Sequence, residues 1–112
     1  MADVQVIIAQ PGPLPITLAA EIESDAPVVV TLAGSVWSGT ANSMIGVSLL
    51  IDGEPSGISA SIFSNGPSTH RAVVPAVVPY TFATPAHTFT LEPMNPQTIS
   101  DSNDRFLLAV QL

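Results

Sequence analysis

Few side chains in this sequence can do chemistry. It holds two histidines, one tryptophan, one tyrosine, two arginines, nine carboxylates, no lysine and no cysteine. Without thiols there is no disulfide or iron–sulfur chemistry, and the redox compartment leaves no mark. Catalysis by a hydroxyl nucleophile needs a base beside it and an acid that orients the base, so His70 and His87 are the residues to question. His87 alternates in register with Phe89 and Leu91, the placing of a half-buried strand histidine bonded to a backbone carbonyl. His70 lies beside Arg71, just past the Asn65-Gly66 turn, at a loop rim. No serine sits in a Gly-x-Ser-x-Gly elbow, and no glycine-rich loop is present to cradle a phosphate.

The acids fare no better as catalysts or metal ligands. Glycosidase work needs two carboxylates roughly 5–10 Å apart in a cleft, whereas Asp52, Glu54 and the Glu21–Asp25 stretch fall in expected turns. Asp101, Asn103 and Asp104 make an oxygen-rich loop that could hold Ca²⁺, which takes about six to eight oxygen ligands. The spacing and the glycine of an EF-hand are absent, and Asn and Asp are ordinary turn residues. The expectation is no catalytic residue, no metal and no cofactor. Aromatic stacking offers a second chemistry: Trp37 and Tyr80 can present a flat face to a sugar, with Asn65, Asn42 and His70 as polar neighbours. Large aromatics also serve as core or interface anchors.

The elements that must position these residues read as strands. Eleven prolines interrupt the chain, and each costs about 3 kcal/mol inside a helix. Short β-branched runs alternate with Gly, Pro, Asn and Ser clusters, the pattern of a sandwich or barrel. Strands are expected over Val4–Ala9, Ile16–Ala20, Val28–Ser38 (with Gly34 bending or bulging it), Ser43–Ile51, a run through Ile58, Ala60 and Ile62, Thr69–Val78, Ala86–Leu91 and Arg105–Leu112. Asp52-Gly53 makes a tight hairpin tip, since both residues tolerate positive φ. Ser64-Asn65-Gly66-Pro67 makes a second turn, while Pro75 and Pro79 point to an edge or a bulge. The fold class is all-β: one antiparallel sandwich of about eight strands without significant helix, a single domain over residues 1–112. Residues 1–15, stiffened by Pro11, Pro13 and Pro15, are expected to form an extended arm.

Charge excludes some partners. A formal charge of −7 opposes nucleic acid, which asks for a cationic stripe, and opposes anionic membrane surfaces. No apolar run approaches the ~20 residues that span a bilayer. Met1-Ala2-Asp3-Val4 carries no basic or apolar leader, so synthesis in the cytoplasm is expected, with the final location left open. Charged residues make up only 10% of the chain, against a usual ~25%. Several strands are apolar on both faces: Met44 and Leu50 oppose the Ile45 set, Val28-Val29-Val30 has no polar position, and Leu107 opposes Phe106. An antiparallel sheet with one wet face reads apolar-in, polar-out. Self-association through Val29, Met44, Leu50 and Leu107 would cover the surplus.

From Ile45 to Leu91 the chain resembles small bacterial and phage jelly-roll domains. The carrying residues are Ile51-Asp52-Gly53, the following Gly57, and the strand Ala86-His87-Thr88-Phe89-Thr90-Leu91, with Ala86 where a glycine is usual. That group includes carbohydrate-binding modules and trimeric tumour-necrosis-factor-like or fibre-tip domains. The resemblance implies the fold and carries over no functional residue. The expected function is a non-enzymatic structural or assembly protein that forms a homo-oligomer, a trimer, as a virion decoration or fibre-tip component. Its partners would be copies of itself, a larger protein assembly or a glycan. A carbohydrate-binding module is the second expectation and a small hydrolase the third.

Overall fold

The structure, a computed structural model, describes residues 3–22 and 26–112. It contains nine strands and, among the described residues, no helix. They are β1 (Val4–Pro11), β2 (Ile16–Glu21), β3 (Val28–Val36), β4 (Ser43–Ile51), β5 (Glu54–Ser64), β6 (Arg71–Ala72), β7 (Ala76–Tyr80), β8 (Ala86–Pro93) and β9 (Arg105–Gln111). One sheet runs β1-β9-β3, with β7 and then β6 along the free edge of β3; the other runs β2-β8-β4-β5. All pairings are antiparallel. Successive strands mostly change sheet, which gives the double-sheet order of a jelly roll. The two sheets are called here the β9 sheet and the β8 sheet.

Alternation fills the space between them. Val28, Val30 and Leu32 of β3, Ile45, Val47, Leu49 and Ile51 of β4, Phe89 and Leu91 of β8, and Phe106, Leu108 and Val110 of β9 are all buried. In β1 the register shifts between Val6 and Ile8. The extra residue lets Ile7 and Ile8 both turn inward, as a β-bulge allows.

The expected elements are present with altered ends. β1 extends through Gln10 to Pro11, because β1 is an edge strand and a missing N–H on its outer side breaks no ladder bond. Residues 4–11 of the expected arm are therefore strand, with Ile7 and Ile8 in the core. The prolines that follow cross from one sheet to the other, with the Leu14 amide donating to Ser100 Oγ. The expected strand Thr69–Val78 is broken in two. Between its halves the Val73 amide donates to the Gly34 carbonyl on β3, and the Val74 amide donates to the Ser61 carbonyl on β5. The segment thus ties the two sheets together before Pro75 restarts the chain as β7 on the edge. No register shift marks a bulge at Gly34 in the β3–β9 pairing; Phe106 lies over it, and a Cβ there would stand 2.5 Å from Phe106 Cδ1. Of the expected Glu21–Asp25 turn, Glu21 ends β2 and Ile22 is buried, while residues 23–25 lie outside the described ones.

The registers give the sandwich two distinct ends. At one stand Pro11, Ile16, Val36, Ser43, Ser64, Arg71 and Arg105. At the other stand Val4, Glu21, Val28, the Asp52-Gly53 tip, Tyr80 and Ala86. Both arginines are at the first end, and neither forms a salt bridge among the described residues. Asp3, Glu21, Asp52 and Glu54 are at the second.

Candidate functional site

At the arginine end, the loop after β8 folds back against the end of β3. Trp37 exchanges backbone hydrogen bonds with Ile99, its amide donating at 2.9 Å and its carbonyl accepting at 2.8 Å. His70 leans against the indole with ring centroids 5.7 Å apart. The His70 Nδ1 lies 2.7 Å from Asp104 Oδ1, and its Nε2 lies 3.7 Å from Asp101 Oδ2. Asp104 is fully buried, a costly place for a carboxylate unless it is hydrogen-bonded. Three donors satisfy it. Ser35 Oγ and the His70 ring reach Oδ1, and the Asp101 amide donates to Oδ2 at 2.9 Å. The bond to Asp104 holds the His70 pKa above its usual 6.5 against partial desolvation, and the charges of Asp104 and Asp101 add to the rise.

His70, Asp101 and Asp104 thus present three ligating atoms within 4.8 Å of one another. A cation would find only His70 Nε2 and Asp101 Oδ2 without displacing an existing bond, since Asp101 Oδ1 accepts from the Asn103 amide and both Asp104 oxygens are taken. The geometry is that of a loop brace. Trp37 Nε1 is buried and finds no hydrogen-bond acceptor among the described residues.

At the other end, Asp52 joins the β4–β5 tip to β8. Its amide donates to the Thr88 carbonyl, the Thr88 amide donates to Oδ1 at 2.9 Å, and Oδ2 lies 2.7 Å from His87 Nδ1. These bonds, the Thr88 amide foremost, hold the Asp52 pKa below 3.8. His87 Nε2 lies 2.6 Å from the Thr84 carbonyl oxygen and 3.5 Å from Thr84 Oγ1. The ring nitrogen that a nucleophilic threonine would need is therefore occupied by backbone. Phe82 and Phe89 pack against the imidazole and edge-on against each other, and Tyr80 packs on Phe82. Open clefts of about 380 Å³ and 320 Å³ flank it, the first floored by Ala19, Ala20 and Ala86.

Of the five residues expected to face a ligand, Asn42 stands just before β4 with a φ of 56°, and the other four are divided. Trp37 and His70 are in contact, and Asn65 stands in the neighbouring turn, where the Ser68 amide donates to the Ser38 carbonyl. Tyr80 is at the far end of the sandwich.

The residues expected in self-association also divide. Val29 and Leu107 lie on the outer face of the β9 sheet; Met44 and Leu50 lie on the outer face of the β8 sheet. The two faces differ in chemistry. Across the β8 sheet the outward rows read Thr17–Thr90–Leu50–Pro55, Ala19–Thr88 and Glu92–Ser48–Ser59, ending in the exposed pair Met44–Phe63. Hydroxyls dominate. Across the β9 sheet they read Val4–Gln111–Val29–Pro79, Val6–Ala109–Thr31–Val77 and Ala9–Leu107–Ala33. None of these eleven positions is charged, and Val4, Val6 and Val77 are 64%, 56% and 63% exposed. Arg105, opposite Pro11, stands at one border of this face. The full extent of the face escapes strand-by-strand reading, because Val6 and Val77 belong to opposite edge strands and meet only through register. Compared with known proteins, the chain matches no family profile and no curated sequence.

Proposed function

We propose that this chain is a non-enzymatic structural subunit that works by associating with copies of itself within a larger assembly, as a virion decoration or fibre-tip component would. The uncharged outer face of the β9 sheet carries this reading. A soluble monomer rarely leaves a contiguous apolar face of several hundred Å² open to water, and such faces mark contact surfaces. The jelly-roll order supports it as well, since that architecture recurs in capsid proteins. Both histidines are consistent with a non-catalytic role, each being held in a structural brace. Light-scattering mass of the purified chain tests the proposal: a multiple of the chain mass supports it, and a monomer at about 500 µM overturns it.

A second reading rests on the Trp37–His70 contact. Jelly rolls also occur among lectin domains, and a partly buried indole stacked beside the exposed ring of His70 offers an aromatic surface of the kind a sugar ring packs on. A glycan array tests it, with sugar binding lost in Trp37→Ala and unchanged in Tyr80→Ala.

A further inference from the structure

We infer that the outer face of the β9 sheet is covered by the same face of a second copy, the two sheets stacked about a two-fold axis with their strands antiparallel. This deepens the proposed self-association and rests on it. Three observations select the occupant. The first is charge. Each chain carries −7, so two copies repel wherever acids face each other within the ~8–10 Å that salt leaves unscreened. The three rows through Val29, Thr31 and Ala33 hold no acid, and they let copies approach at little electrostatic cost.

The second observation is shape. Ala9, Ala33, Ala109 and the valines are short, so two such faces can close to the ~10 Å separation of stacked sheets. Four strands about 4.8 Å apart and roughly seven residues long give about 400 Å² in projection per copy, or about 800 Å² for the pair before side-chain relief is counted. That approaches the ~1,000 Å² at which specific interfaces begin, so the dimer belongs to the weaker, reversible class.

The third is the direction of stacking. The two outer faces of a sandwich point opposite ways, so packing the β9 sheet of one copy on the β8 sheet of the next would propagate without closing, whereas like on like closes after two. The β8 sheet is also lined by hydroxyls with Glu92 among them. Of the two ways to place the axis in the interface, the antiparallel one lays β9 over β9 head to tail. It brings Arg105, which forms no salt bridge among the described residues, over the end of the second copy where Asp3 precedes Val4. A parallel stack would set the two Arg105 side chains against each other.

The test is light-scattering mass at about 10 µM and about 500 µM, with thermal melts to confirm folding. The wild type is expected to reach twice the chain mass at the higher concentration. Val77→Glu, at an exposed position outside the core, is expected to weaken the dimer at least tenfold. Met44→Glu, on the other sheet, leaves it unchanged. Arg105→Glu weakens it, and Asp3→Arg in the same chain restores it. Thr31→Cys, at the centre of the face in a chain otherwise free of cysteine, cross-links to its own copy under added oxidant. A wild-type oligomer indifferent to Val77→Glu, one dissociated by Met44→Glu, or a trimer overturns the two-fold stack while leaving self-association standing. A wild-type monomer overturns both, and one that co-sediments with phosphatidylcholine vesicles transfers the face to lipid.

Discussion

Asp104 and His70, 34 residues apart in sequence, meet at 2.7 Å beneath the indole of Trp37, with the carboxylate fully buried and the imidazole part exposed. Three segments converge there: the end of β3, the loop before β6 and the loop before β9. The Asp104 carbonyl also accepts from the Gly12 amide at 2.8 Å, which draws in the proline-rich crossing between β1 and β2.

The carboxylate of Asp104 is expected to matter more to stability than any other polar group in the chain. Asp104→Ala leaves the Ser35 hydroxyl and the Asp101 amide without their acceptor and costs about 3 kcal/mol. Urea unfolding reads this as a lower midpoint with an unchanged slope. Asp104→Asn retains one acceptor and loses less.

The His70 contact adds a pH dependence whose sign is fixed. A pKa raised in the folded state stabilises the protein below the unfolded value of 6.5, and the stabilisation disappears as pH rises through the folded value. The difference in Tm between the wild type and His70→Ala is therefore largest near about pH 5.5 and smallest near about pH 8.5. Equal differences at both would refute the assignment.

Asp52 behaves oppositely. Its pKa is lowered by the Thr88 amide and by His87, so its contribution is present above 3.8 and is lost as pH falls through the folded value. Asp52→Asn keeps a residue that accepts the φ of 55° at this position. Thermal melts are expected to separate the two proteins at neutral pH and to bring them together in acid.

Two glycines are expected to respond oppositely to the same methyl group. A Cβ on Gly46 would collide with the Ala60 carbonyl oxygen and stand 2.9 Å from Ser61 Cα, both backbone atoms of the paired strand β5. Gly46→Ala must push β4 and β5 apart, at about 1–3 kcal/mol. Gly39 has nothing within 4 Å of its Cβ position, so Gly39→Ala is neutral or stabilising by up to about 1 kcal/mol through the unfolded chain. Urea midpoints for the pair decide it.

The fold was legible where one local signal settles the structure. The Asp52-Gly53 tip and the Ile45-Val47-Leu49-Ile51 alternation define the β4–β5 hairpin, and Phe89 and Leu91 define the inner face of β8. Reading failed where a partner strand decides. Pro11 looks like a terminator and remains in β1 because that strand is an edge. Thr69–Val78 looks continuous and is split because Val73 and Val74 bond to different sheets. The loop brace was visible only in pieces: Asp101, Asn103 and Asp104 stood out as oxygen-rich, and His70 as a rim histidine, but nothing local joins them. Asp52 showed as a turn residue, while its bonds to His87 and Thr88 depend on β8 pairing with β4.

Across the β8 sheet, Thr17 Oγ1 and Thr90 Oγ1 lie 3.1 Å apart, one row from Ser48 of β4 and Ser59 of β5. If copies seal their apolar sheets together, this hydroxyl wall becomes the broadest surface a visiting molecule meets. Such groups give and take hydrogen bonds with water equally well, and they offer no strong charge to grip. The assembled particle would then show its surroundings a mixed exterior, well hydrated along its hydroxyls, with Met44 and Phe63 as the apolar spot left at its rim.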